Sequence, residues 1–207
     1  MDHVTQLQGD LTDDVLAALT ATGRVAWDIE TSGLDWRRGR IGTCQIHSYE
    51  TGAVIIQLKD NGRPHRLATL LADESVLKVF HHAPFDLRWM TTHWETSVAS
   101  VACTKVASRL LNRAPESQCH SLKYLLAEYL GVHVDKGERT SNWLALDLTD
   151  AQVAYAAEDV VHLLALHDIL TKHLDNEGLS TTYQHCIEFL PTRVMLETGG
   201  WPDVFAY

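Results

Sequence analysis

Arg24-Val25-Ala26-Trp27-Asp28-Ile29-Glu30-Thr31-Ser32-Gly33-Leu34-Asp35 decides how the rest of the chain is read. Val25, Ala26, Trp27 and Ile29 predict a short buried strand, interrupted by Asp28 and Glu30. Side chains alternate along a strand, so Asp28 and Glu30 project together from one face while Ile29 packs the opposite way. Two carboxylates so placed repel each other and lose hydration. A divalent cation that prefers oxygen ligands offsets both costs. Thr31-Ser32-Gly33 then turns the chain and leaves the pair at the strand's exposed end. The alternative is a solvated edge strand carrying two surface acids.

Working outward, Thr12 caps a predicted helix over 13–20, with Val15, Leu16 and Leu19 as its apolar side. After the turn, 41–49 and 53–58 read as two strands joined by Glu50-Thr51-Gly52, a hairpin. Three successive strands make an antiparallel start to a sheet. Pro64 opens a helix that runs to residue 73. Residues 76–80 form a compact apolar run that fits a buried parallel strand. Pro84 then sits at a helix start, which puts Asp86 in the first turn, a position that the helix dipole favours whatever the residue does. Helices follow over 104–111 and 121–130, the second closed by Gly131. The segment 132–148 contains Lys136-Gly137-Glu138-Arg139-Thr140-Ser141-Asn142-Trp143. It suits contact with a backbone phosphate and a base, or equally a surface loop with Trp143 tucked into the core.

Thr149 and Gln152 form a capping box that opens a helix predicted to reach about residue 173. It is apolar nearly all round, which predicts burial. Tyr155 and Asp159 lie one turn apart on one face of it. A tyrosine hydroxyl satisfied by its neighbouring carboxylate accounts for the pair without further function. The tail 188–207, with Phe189, Leu190, Trp201, Phe205 and Tyr207, reads as an arm laid over the domain or a partner.

The 207 residues fit a single domain, 1–207, with its core at about 20–175 and a C-terminal helix or arm over 176–207. The 45% apolar content supports a sizeable core. No apolar run approaches a membrane span and no signal peptide is visible. Cys44, Cys103, Cys119 and Cys186 are far apart and suit reduced thiols, so a soluble cytoplasmic protein is expected. A formal charge of −10 argues against broad wrapping of a duplex, but not against an enzyme that holds a few nucleotides through local contacts and metal ions.

Asp28, Glu30, Asp86 and Asp159 together with Tyr155 carry a resemblance. Asp28-x-Glu30-Thr31, Phe85-Asp86 and Tyr155-Ala156-Ala157-x-Asp159-Val160 resemble, in order and spacing, the three exonuclease motifs of the DEDD superfamily. The tyrosine four residues before the last aspartate marks the DEDDy branch. Ser121-Leu122-Lys123-Tyr124-Leu125, residues 136–143 and Leu148-Thr149-x-x-Gln152-x-x-Tyr155 are similar to ribonuclease D in particular. The resemblance covers roughly residues 20–175. It departs at His81-His82-Ala83, where many relatives carry an asparagine-containing segment, and at Cys103, where relatives often have aspartate. The larger ribonuclease D proteins continue into helical C-terminal (HRDC) domains, for which no sequence is expected here.

The resemblance implies an RNase H-like three-layer α/β/α fold with a central mixed β-sheet. It implies two-metal hydrolysis, with Mg²⁺ or Mn²⁺, of RNA or single-stranded DNA from the 3′ end, releasing nucleoside 5′-monophosphates. Asp28 bridges both ions in that scheme, Glu30 and Asp159 complete the first site, and Asp86 acts mainly through water on the second. Tyr155 orients the nucleophilic water, since a phenol of pKa about 10 is a poor base. Thr31, Leu34, His82 and Phe85 surround the terminal nucleotide by motif position. Two other readings compete. One is a non-catalytic nucleic-acid-binding module that keeps the exonuclease shape. The other is a different metal phosphohydrolase built on His81-His82 and His167-Asp168.

Overall fold

The computed structural model describes residues 4–58, 62–113, 116–134, 137 and 141–206. Its strands are β1 (Val4–Gln8), β2 (Arg24–Thr31), β3 (Ile41–Ser48), β4 (Gly52–Gln57), β5 (Leu77–Phe80) and β6 (Val101–Cys103). Among the described residues they form one six-stranded sheet in the order β1-β4-β3-β2-β5-β6. β2, β3 and β4 are antiparallel neighbours, whereas β1 joins β4, and β5 joins β2 and β6, in parallel. The sheet is therefore mixed, as expected, with its antiparallel part at the centre.

The helices are α1 (Asp13–Ala21), α2 (His65–Ala72), α3 (Ala83–Trp94), α4 (Thr104–Leu111), α5 (Leu122–Leu130), α6 (Asp150–Val161), α7 (Leu163–Asn176) and α8 (Ser180–Thr198). The α/β/α layering follows from the two faces of β2. Trp27 is fully buried, stacks on Phe80 at 6.1 Å between ring centroids and meets Trp94 of α3 at 6.3 Å. The neighbouring positions face the other way, toward α6, which packs across β2, β3 and β4. Arg24, on that side, holds Asp168 of α7 through two hydrogen bonds of 2.5 and 2.8 Å. None of the helices among the described residues is long and apolar enough to cross a membrane.

Several local predictions hold to the residue. Thr12 caps α1 by accepting from the Val15 amide, and Gly131 closes α5 in the left-handed conformation; Ser121, expected inside that helix, instead caps it by accepting from the Tyr124 amide. Others need correction. β1 and β6 were not expected: each is short and lies at a sheet edge, so neither shows a long apolar run. The sheet thus starts upstream of residue 20. The helix predicted to run from 149 to about 173 is two helices, α6 and α7, broken at His162. Nor is α6 buried all round, because Ala151, Ala154 and Glu158 are exposed and alanine masks that face in the sequence. The tail is helical as far as Thr198, with Pro191 inside α8. Beyond it Trp201 folds back over Gly199, and a cavity of about 370 Å³ lies between α8 and residues 201–205. Pro64 caps α2 rather than starting it.

One irregularity interrupts the β2–β3 ladder. Glu30 pairs with Thr43 and Thr31 pairs with Ile41, so Gly42 is an extra residue on β3 where the register shifts. Bulges of this kind bend a strand and re-aim its side chains. A Cβ at Gly42 would stand 2.3 Å from the Trp143 carbonyl oxygen, so only glycine admits the segment that crosses here. Gln57 Nε2 on β4 donates to Ala145 O at 2.6 Å, and Gln152 Nε2 on α6 donates to Asn142 O at 3.2 Å. Residues 141–146 are thus strapped to the sheet and to α6 together. Gly42→Ala should lower Tm by about 2–10 °C, from an overpacking cost of about 1–3 kcal/mol. A melting curve that matches wild type would show that the strap yields without cost.

Candidate active site

Asp28 and Glu30 stand near the C-terminal end of β2, half-buried, on the face that receives α6. α6 brings Asp159, 7% exposed, down onto them. One carboxylate oxygen from each of the three lies within 4.8 Å of the others. The sequence spacing brings this about directly: period two on the strand aligns the first pair, and the capping box at Thr149 fixes where α6 begins. The bulge at Gly42 sits beside Glu30.

Asp86 joins from the first turn of α3, at the other side of the strand end. It is 2% exposed. Ile29 lies three residues past the last β2–β5 pair, Ala26 with Val79. Its amide is beyond the ladder, and Asp86 accepts from it and from its own amide. Those bonds favour the ionised carboxyl, yet burial first, then the charge of Asp28 and more weakly of Glu30, raise Asp86 well above the usual carboxylate range. The helix dipole explains an acid at this position, but not its burial against two others.

Tyr155 is 6% exposed, and its hydroxyl hydrogen-bonds Asp159 one turn away. Burial, then the charges of Asp159, Glu30 and Asp28, push its ionisation far above that of an ordinary tyrosine. The phenol therefore stays protonated and acts as a donor. Its ring lies 5.7 Å from that of Trp143, tilted by 43°. Trp143 is 2% exposed, so of the two readings of this residue the structure supports the buried one. Lys136, Glu138, Arg139 and Thr140, read with it as a contact segment, lie outside the described residues.

The four expected nucleotide contacts border the same strand end. Thr31 follows Glu30, half-buried, and its hydroxyl donates to Gly33 O at 2.7 Å. Leu34 is 84% exposed on the turn that begins there. That turn is tied back by Ser32 and Arg40, which exchange two hydrogen bonds of 2.9 Å, and by the His93 ring at 2.9 Å from Trp36 O. Phe85 is half-buried against Trp89, at 6.2 Å. His82 caps α3 with φ +74°, a conformation that no sequence signal announces and that L-residues adopt at a cost. His82 is exposed on one side but crowded on the other. That crowding, then the charges of Lys105, Arg88, Arg193 and Arg109, bring its imidazole down to about 4. The four cations converge from α3, α4 and α8, and no sequence signal ties them to the site. Also missed by sequence were Thr43 and Gln45, whose positions in β3 face Glu30 and Asp28.

The rival histidine arrangement does not assemble. His81 Nδ1 lies 2.9 Å from Thr104 Oγ1, whereas Asp168 is occupied by Arg24 at the opposite end of β2. Among the described residues, Asp28, Glu30 and Asp159 are the group that could hold a metal ion. Their all-oxygen donor set suits Mg²⁺ or Mn²⁺, and ligand oxygens about 2.1 Å from an ion stand roughly 3–4.2 Å apart, close to the spacing seen.

A family model described as "3'-5' exonuclease" matches residues 4–175. A ribonuclease D from Gluconacetobacter diazotrophicus is 37% identical over 112 residues, which is 54% of this chain and 28% of that protein. The chain thus spans little more than a quarter of that relative's length. Among solved structures, Brucella melitensis NrnC with bound Mg²⁺ is 33% identical with TM-score 0.89, over 99% of this chain and 98% of that one. Brucella melitensis NrnC bound to pGG is likewise 33% identical, with TM-score 0.90 and full coverage of both chains.

Asp86 makes the electrostatics testable. A carboxyl whose pKa rises on folding adds stability below its unfolded pKa and loses it as pH climbs through the folded value. Asn bears no such cost. Metal-free Asp86→Asn should therefore melt above wild type at pH 8. The gap should shrink as pH falls toward 5. A gap that is reversed, or constant with pH, would show that Asp86 ionises in the fold at no cost.

Proposed function

The chain belongs to the 3′–5′ exonuclease family and is ribonuclease D-like, and from that premise we propose that it hydrolyses RNA or single-stranded DNA from the 3′ end. The products are nucleoside 5′-monophosphates. The observation that carries this reading is the convergence of three carboxylate oxygens within 4.8 Å, with Tyr155 hydrogen-bonded to the third acid. Asp28, Glu30 and Asp159 would hold one divalent ion, Mg²⁺ or Mn²⁺. Asp28, together with Asp86, would serve a second ion. When bound, the ions lower the pKa of the attacking water and neutralise charge on the phosphodiester. The Mg²⁺ named for the NrnC structure supports this choice of ion.

The chain's own residues do the rest. Burial and the neighbouring acids disfavour a phenolate at Tyr155, and its hydroxyl orients the water that attacks phosphorus. Thr31, Leu34, His82 and Phe85 enclose the terminal nucleotide, and a chain that continues past the 3′-hydroxyl does not fit there. With a pKa near 4, His82 is neutral at physiological pH and contributes shape and hydrogen bonding rather than charge. Lys105, Arg88, Arg193 and Arg109 supply positive potential beside it, against a net charge of −10 for the whole chain. Local attraction of this kind suits short substrates, and the pGG complex of NrnC supports that choice. Four cysteines read as reduced thiols suit a reaction in the cytoplasm.

The test is a 5′-labelled single strand, RNA and DNA in parallel, with pGG as a short substrate and Mg²⁺ or Mn²⁺ present. A ladder that shortens from the 3′ end, lost with EDTA or a 3′ block, is the expected result. No degradation of any substrate with metal bound would instead support the non-catalytic binding module. Asp28→Asn and Asp159→Asn should each lower kcat by about 10²-fold or more, since each removes a charge from the ion site. Tyr155→Phe should cost on the order of 10–100-fold, because an orienting hydroxyl is lost but no charge. Near-wild-type rates in either Asn variant would sink the ligand assignment.

A further inference from the structure

Four polar side chains of β3 are buried, Thr43, Gln45, His47 and Ser48, and two of them lie opposite the acids. Thr43 and Gln45 are both fully buried. They sit two residues apart, so they share a face, and they pair across the ladder with Glu30 and Asp28. Gln45 Nε2 donates to Asp28 Oδ2 at 2.7 Å. Thr43 Oγ1 in turn donates to Gln45 Oε1 at 3.2 Å. The three groups form a directed chain, hydroxyl to amide to carboxylate, and the strand backbone fixes each member.

The order matters. An amide has a donor end and an acceptor end, and the two ends act oppositely on a carboxylate. The carboxylate selects the donor end, and the Thr43 hydroxyl fills the acceptor end by donating to Oε1. A flipped amide would set its oxygen against the carboxylate oxygen and lose the 2.7 Å bond to Asp28. The Nε2 donor occupies Oδ2 from the β3 side, which stops the carboxylate rotating about its Cβ–Cγ bond. Its coordinating lone pairs are then held toward the side where Glu30 and Asp159 converge. Buried polar groups without such a partner are costly, so an amide and a hydroxyl kept in this core point to a role at the carboxylate they reach.

We propose that Thr43 and Gln45 are positioning residues which set the orientation of Asp28 and thereby the affinity of the chain for its divalent ion. This rests on the reading of Asp28 as an ion ligand. Partners behind a ligand commonly change metal affinity by about 10–100-fold. Neither residue touches substrate or reacting atoms, so the effect is carried through Asp28.

The experiment is calorimetric titration of the metal-free protein with Mn²⁺, with melting curves recorded alongside. Gln45→Met keeps the side-chain length but cannot donate, and should weaken Mn²⁺ binding by about 10–100-fold. Thr43→Val keeps the shape but leaves the buried Oε1 without its donor, so the amide is held less firmly, and should weaken binding less. Thr43→Ser restores the hydroxyl and should bind as wild type does, which a purely steric role for Thr43 would not produce. If Gln45→Met fails to fold, the Val and Ser pair carries the test on its own. Wild-type binding together with unchanged affinity in Gln45→Met and Thr43→Val overturns this inference alone. A wild-type protein that binds no Mn²⁺, or whose binding survives Asp28→Asn, overturns the functional reading and this inference with it.

Discussion

Carboxylate oxygens held within 4.8 Å of one another repel by about 3 kcal/mol per pair at an effective dielectric of about 20. A chain does not gather Asp28, Glu30 and Asp159 against that force unless several rigid elements impose it. The repulsion is shared between a strand and a helix that are each anchored elsewhere. β2 is fixed by its Trp27 face against Phe80 and Trp94, and at its start by Arg24 and Asp168. α6 is fixed at its start by the capping box and by the Gln152 bond to Asn142. The acids lie where both anchored elements run out, so neither can relax away without losing packing along its whole length. On the proposed function, this stored repulsion favours cation binding.

The strap over residues 141–146 connects that cluster to the rest of the sheet. Gly42 is small enough for the Trp143 carbonyl to approach, Gln57 holds Ala145, and Gln152 holds Asn142. Trp143 is thereby wedged beneath the Tyr155 ring, in a small cluster with Ala53, Ile55, Ala156 and Ala157 that is separate from the main core. The tyrosine hydroxyl has its direction set from two sides, by the indole wall and by Asp159. A side chain whose rotamer is locked by packing keeps a hydroxyl in place better than a hydrogen bond does alone. One glutamine does two jobs in this arrangement, since the Gln152 oxygen accepts from the Thr149 amide while its nitrogen reaches the strap.

How much of this was legible in the sequence depends on the range of each signal. Asp28 with Glu30, and Tyr155 with Asp159, are set by the periods of a strand and a helix, and both pairs were readable from spacing alone. Thr12, Gly131 and Thr149 are caps, local by nature, and each falls where it was expected. β1 and β6 were missed because short edge strands owe their conformation to a neighbour rather than to their own pattern. The break at His162 was missed because apolar residues continue through it. Gln45 acts on Asp28 across 17 positions of sequence, and only the register of β2 against β3 reveals it. The cations near His82 come from three helices, so no window along the chain contains them.

The charge of the molecule then reads differently at two scales. A net charge of −10 opposes polyanions at long range, yet that field is screened over about 8–10 Å at physiological salt. Around His82 the field is set by Lys105, Arg88, Arg193 and Arg109, whose charges lower its pKa. Two of the cations are partly spent, because Arg88 and Arg193 both reach Glu197. Among the described residues Lys105 makes no such ion pair: burial and then Arg109 lower its pKa, which is the mark of a cation placed against its own preference. An anion between Lys105 and Arg109 relieves that strain, just as a cation relieves the strain among the carboxylates. On the proposed function a phosphodiester with its metal ions does both at once, and the site's two unfavourable charge clusters become complementary to a single substrate.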